Sequence, residues 1–247
     1  MLNIEDYKDS VLFRSVIELN EQLVKADTEK IELNVVGGFA LMIREVRDKS
    51  GLTDIDYLGG PLFDNISEIS KKIGLKNGLG HDWINNDIML SGSSIEDFEL
   101  STGKLSFDEA FDLEKIKVNV LQTEDILKLK VIAIDTALSA VDYGGDFTRM
   151  KDFGDIIKIC DKTGISVEEL GERFKENIVN KKTIAAIRTY KELGPSAVNE
   201  MVERLQYEFH KQKFESQNYV RSSFIDDILN KAMAGAKATS KREDIDR

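Results

Sequence analysis

Residues 32–58 read ELNVVGGFALMIREVRDKSGLTDIDYL, and the order of elements within them decides the fold. Glu32 to Val36 is a short β-like run that stops at Gly37-Gly38. From Phe39 to Arg47 the apolar residues Phe39, Met42, Ile43 and Val46 recur at helical spacing. After a polar loop, Asp54 to Leu58 returns to a strand. Upstream, Leu12, Val16, Leu19 and Leu23 give one apolar face to a helix predicted over Tyr7–Lys25. The chain thus opens helix, strand, glycine turn, helix, loop, strand.

Two features of this stretch carry chemistry. Asp54 and Asp56 are two apart on the predicted strand, so their side chains share a face. Adjacent carboxylates repel unless a cation sits between them, and a hard, oxygen-ligated ion such as Mg²⁺ answers that need. Exposed Asp-x-Asp pairs are common, so the pair alone says little. The second feature is Gly37-Gly38 between strand and helix, where phosphates can approach the backbone and meet N–H groups and a favourable dipole. Taken singly the glycines are an ordinary tight turn. Followed by a carboxylate strand, they describe a phosphate cradle facing a metal site.

Further along, a helix is predicted over 62–73, and 74–115 is rich in Gly, Ser, Asn and Asp with short β-like pieces such as Asp97–Leu100. Lys117–Leu121 reads as a strand. Beyond it all is helical, first from Thr123 to about Val141, then near 150–162, 166–179, 181–192, 195–212 and 220–234. The fold class is therefore α+β: a mixed sheet with flanking helices over 1–122, a helical bundle over 123–234, and a polar tail over 235–247 expected to be disordered.

Composition narrows the function classes. Net charge is −11, against a surface that wraps nucleic acid throughout, but the acid excess lies in residues 1–172 while 173–247 is net basic. The single cysteine, Cys160, excludes an internal disulfide and suits a reducing cytoplasm. Two distant histidines, His81 and His210, leave little for a His/Cys zinc site. No apolar run of roughly 18 residues is present, so no membrane span is expected, and MLNIEDYKDS lacks the features of a signal peptide.

A second constellation lies in the helix from Thr123. Lys130 shares its face with Ile126, Ala133, Ile134 and Ala137. An ammonium buried there needs a carboxylate or a phosphate, unless it snorkels along the helix edge. The next helix, within TRMKDFGDIIKIC (148–160), supplies Asp152 and Asp155, three apart on one face beside Phe153, Ile156, Ile157 and Cys160. Arg149 and Lys151 either contact phosphates or form an exposed helix start. Trp83 either stacks on a base or anchors core, the commoner fate of a lone tryptophan.

The segment VVGGFALMIREVRDKSGLTDIDYL resembles the signature of the DNA-polymerase-β-like nucleotidyltransferases, and within them the AbiEii-type abortive-infection toxins. The matching residues are Gly37, Gly38, Ala40, Leu41, Thr53, Asp54 and Asp56, with a longer loop setting Arg47 further from the aspartates than the family's arginine. Lys130, Arg149, Lys151, Asp152 and Asp155 resemble the family's second motif. The resemblance implies a nucleotidyltransferase-fold sheet and transfer of a nucleoside monophosphate from a nucleoside triphosphate to tRNA or a protein hydroxyl. It further implies Mg²⁺ (or Mn²⁺) on Asp54 and Asp56, with nucleotide against Gly37, Gly38, Thr53, Lys130 and Arg149. Asp152 and Asp155 become catalytic candidates, and an antitoxin becomes a candidate partner. Many relatives carry a third carboxylate on a later strand. In IKVNVL that place falls to Asn119, with Asp87 and Glu99 as acids that would substitute. The alternative is a protein on the same fold that binds nucleotide or partner without turnover.

Overall fold

The computed structural model describes Tyr7, residues 9–48, 51–87, 95–141, Tyr143, Gly145, 147–174 and 179–213. In chain order the elements are α1 (Val11–Lys25), β1 (Ile31–Val35), α2 (Gly37–Ile43), β2 (Ile55–Leu58), α3 (Asp64–Asn77), β3 (Ile84–Asn85) and α4 (Ile95–Thr102). They continue with β4 (Phe107–Asp112), β5 (Ile116–Leu121), α5 (Thr123–Val141), α6 (Met150–Thr163), α7 (Val167–Arg173) and α8 (Lys181–Leu193). A further helical stretch, α9, covers 195–213.

The five strands form one mixed sheet in the order β3-β2-β1-β5-β4. β1 runs antiparallel to β2 and parallel to β5, and β4 closes the far edge antiparallel to β5. Period-two alternation explains the central pair. Ile31, Leu33 and Val35 of β1 and Ile116, Val118 and Val120 of β5 are buried. Glu32, Asn34 and Asn119 lie on the other face, where the Asn119 amide donates to Glu32 and Asn34. The α+β class read from the pattern is the class observed.

Local chemistry moves several boundaries. α1 starts at Val11 because the Ser10 hydroxyl accepts from the Phe13 N–H and caps the helix there. α2 is shorter than its apolar spacing suggests. It stops at Ile43, Glu45 turns to φ +57°, and Lys162 of α6 donates to the Arg44 carbonyl at 2.7 Å. β2 begins at Ile55, whose N–H pairs with the Trp83 carbonyl, so Asp54 stands one residue before the strand. Asp97–Leu100, read as β-like, lies inside helix α4. α7 ends at Arg173, well short of 179. Residues 220–234 and the tail 235–247 lie outside the described residues.

The change of character at Thr123 coincides with the start of α5. α5 packs against α2, α4, α6 and α8. One apolar cluster runs from Leu33, Val35 and Val118 of the sheet through Ile126 and Val131 to Phe153, Ile156 and Ile187. That continuity fixes α6 relative to the glycine turn, which is what builds the site. No helix among the described residues is long and apolar enough to cross a membrane.

Candidate active site

β1, the central strand, delivers the chain to Gly37 just past its C-terminal end, and β2 returns beside it. Gly37 has φ +64°, open to glycine but strained for other residues, and a Cβ there would overlap Oδ2 of Asp56. Gly38 is bare for a different reason. A Cβ would come within 2.8 Å of the Leu52 side chain and 2.9 Å of Nη1 of Arg47. The glycines thus admit a carboxylate and a guanidinium from this chain, where the sequence suggested open space for phosphate.

Facing them, α5 and α6 present a charge network. Lys130 Nζ lies 2.7 Å from Oδ1 of Asp152 and 2.7 Å from Oδ2 of Asp155. Arg47 donates through Nε (2.8 Å) and Nη2 (2.7 Å) to the two oxygens of Asp155. Arg149, half exposed at 49%, stands 3.8 Å from Asp152. The side chains of Lys130, Asp152 and Asp155 are only 11%, 4% and 5% exposed, so this network is largely withdrawn from water. The expected carboxylate partners of Lys130 are therefore in contact with it. Arg47, set aside in the sequence, supplies the second cation that two buried acids require.

Between the two walls lies a cleft of about 110 Å³. Its lining includes Gly37, Gly38, Arg47, Asp56, Lys130, Arg149, Lys151 and Asp152, with Leu121, Leu129 and Ala133 as an apolar floor. Six of the nine site residues read from the sequence, Gly37, Gly38, Asp56, Lys130, Arg149 and Asp152, line this one space. Asp155 is tied to it through Arg47 and Lys130. Thr53 and Asp54, both exposed, do not line it, although Asp54 is close enough to act on Asp56. Trp83 takes the core role: it is 1% exposed and donates its Nε1–H to the Ser70 carbonyl at 2.8 Å.

The acids fall into two electrostatic groups. Burial raises the Asp56 carboxyl above the ordinary range and the Asp54 charge raises it further, against an Asn85 hydrogen bond and the Lys151 and Lys130 charges. Burial pushes Asp155 up as well, but hydrogen bonds and charges from Arg47 and Lys130 outweigh it, and the net shift is downward. The surroundings thus favour the ionised form of Asp155 and disfavour that of Asp56.

A cation at Asp54 and Asp56 suits this imbalance. The donors are hard oxygens, and two carboxylates completed by ligand phosphate are a usual Mg²⁺ set. The sheet offers no third acid there. Val36 N–H pairs with the Asp56 carbonyl, and the register Val35↔Val120 places Leu121 beside Val36. The residue in line with Asp56 on β5 is therefore apolar Leu121, and Asn119 lies further along the strand. Asp87 and Glu99 do not line the cleft, and Glu99 accepts from the Leu105 N–H. Among the described residues no three His, Cys, Asp or Glu side chains group as a metal-ligand set.

Comparison with protein-family models, curated proteins and solved structures finds no match to the chain.

Proposed function

We propose that the chain is a metal-dependent nucleotidyltransferase of the DNA-polymerase-β-like kind, moving a nucleoside monophosphate from a nucleoside triphosphate to an RNA or protein hydroxyl. The observation that carries the reading is the single cleft in which Asp56 and the Gly37-Gly38 turn face Lys130, Arg149, Lys151 and Asp152. The order of β1, glycine turn, α2 and carboxylate-bearing β2 also agrees with the resemblance.

Asp54 and Asp56 are the residues that would hold Mg²⁺, which when bound supplies charge stabilisation for the transferred phosphoryl group. The chain's own part is positioning. Arg149 and Lys151, at the exposed start of α6, draw the phosphates in. Lys130 is held in the cleft wall by Asp152 and Asp155, which act as positioning residues in this arrangement. The apolar floor of Leu121, Leu129 and Ala133 offers a surface for a flat, uncharged part of the ligand.

Leu121, in place of a third acid, favours a second reading: a protein that binds nucleotide on this fold without turnover. One experiment separates the two. Full-length protein with Mg²⁺ and each α-³²P-labelled nucleoside triphosphate is incubated with total tRNA or cell lysate, beside Asp56→Ala. Label on RNA or protein that disappears with the variant supports transfer. Retained nucleotide binding with no label from any of the four nucleotides favours the second reading.

A further inference from the structure

We propose that Arg47, braced by Asp155 and laid over Gly38, is the group that grips the ligand's phosphoanion in this cleft, in place of the backbone of the glycine turn. The inference rests on the phosphate-binding reading given above and names the residue that does the binding.

Three observations carry it. First, the backbone turn is a poor anion site here. α2 has seven residues, and Oδ2 of Asp56 packs against Gly37, so an anion arriving at that glycine meets a carboxylate. Second, Arg47 lines the cleft with one edge fixed. Nε and Nη2 are committed to Asp155, whose Oδ2 is also held by Lys130, and Nη1 lies against Gly38 at the cleft wall. A guanidinium has five N–H donors, and the Asp155 fork uses two of them. The remaining edge matches a phosphate's oxygens with two parallel hydrogen bonds. Third, bracing removes most of the side chain's freedom before any ligand arrives, so little ordering cost is left for binding. The competing cations are differently placed. Lys130 already contacts two carboxylates, while Arg149 and Lys151 are exposed and suit attraction at a distance.

Gly38 supplies a test that removes no charge. An alanine there keeps its own N–H and favours helix, but its Cβ would sit 2.8 Å from the Leu52 side chain and 2.9 Å from Nη1 of Arg47, so both side chains have to shift. The experiment is calorimetric titration of the full chain with inorganic pyrophosphate in Mg²⁺, for wild type, Arg47→Lys, Gly38→Ala and Lys151→Ala. Arg47→Lys and Gly38→Ala are expected to weaken binding about tenfold or more, and Lys151→Ala only a few-fold. In parallel, phenylglyoxal should modify Arg47 in the wild type, with pyrophosphate protecting it. Asp155→Asn should speed that modification as affinity falls. Near-wild-type affinity in both Arg47→Lys and Gly38→Ala would overturn the inference while leaving the functional reading intact. A wild type that binds neither pyrophosphate nor any nucleoside triphosphate would overturn both.

Discussion

Replacing Lys130 by methionine tests whether the second motif is a folded-state strut. The substitution keeps the stem that packs beside Ile126 and Ala133 and removes only the ammonium. Asp155 then retains the two-pronged hydrogen bond from Arg47, but Asp152 is left with Arg149 at 3.8 Å, itself half exposed. Breaking a buried ion pair by deleting one partner costs about 3–5 kcal/mol. Since both acids keep some compensation, the lower end applies, roughly 3 kcal/mol, a large share of a stability of roughly 5–15 kcal/mol. With an m value of about 2–3 kcal/mol per molar urea, the midpoint should fall by roughly 1 M. Trp83, the only tryptophan and almost fully buried, reports the transition by fluorescence. A second variant, Lys130→Met with Asp152→Asn, removes the stranded charge and should regain about half of the loss. A single variant within about 1 kcal/mol of wild type would refute the reasoning, as would a double variant no more stable than the single one.

Three further outcomes are expected. Asp155 has a lowered carboxyl in the fold, so its contribution is complete above the ordinary unfolded value of about 3.9 and is lost as pH falls through the depressed folded value; acid titration of Asp155→Asn should show a shallower loss over that window than wild type. Asp56 is shifted the other way, so wild type loses stability as pH rises from about 4 through the raised folded value; Asp56→Asn should be more stable than wild type at neutral pH, and millimolar Mg²⁺ should raise the wild-type melting temperature but not the variant's. Gly74→Ala should destabilise by about 1–3 kcal/mol and red-shift Trp83 emission, because a Cβ there would overlap the Gly80 carbonyl and the indole ring, outweighing the gain in helix propensity of about 1 kcal/mol.

What the sequence made legible was local. Period two in IELNV and IKVNVL, helical spacing in α1 and α5, and the glycine turn between β1 and α2 are each set by neighbouring residues, and those elements form where the pattern points, α1 starting later, at Val11. Boundaries that depend on a partner far along the chain were not legible. The end of α2 is fixed by Lys162, 118 residues away, and the start of β2 by the carbonyl of Trp83. Asp97–Leu100 lacks a strong period of either kind, and its helix was missed. Lys130 could be paired with Asp152 and Asp155 because an apolar helix face demands neutralisation of its charge. The same demand, applied to the two acids, calls for a second cation, but spacing did not say which, and Arg47 was identified only when the fold placed it beside Asp155. The identity of the β5 residue in line with Asp56 depends on sheet register, which spacing alone cannot supply.

The opposite shifts of Asp56 and Asp155 also divide the labour among the acids. Enzymes that run acid and base chemistry at one pH do so by pushing like groups apart through their surroundings. Here Asp155 is pushed down by Arg47 and Lys130, which makes it a weak base and a firm anchor. Asp56 is pushed up by burial and by Asp54, which leaves it in need of a cation or a proton. Asp56 lines the cleft while its neighbour Asp54 is exposed, so a cation shared by the two would sit at the surface rather than in the apolar interior. The structure thus sets the unsatisfied Asp56 and the cations Arg47, Lys130, Arg149 and Lys151 around one cleft. Asp56→Asn should gain stability where Asp155→Asn loses it, and two substitutions of the same chemical kind with opposite signs would separate the site from its support.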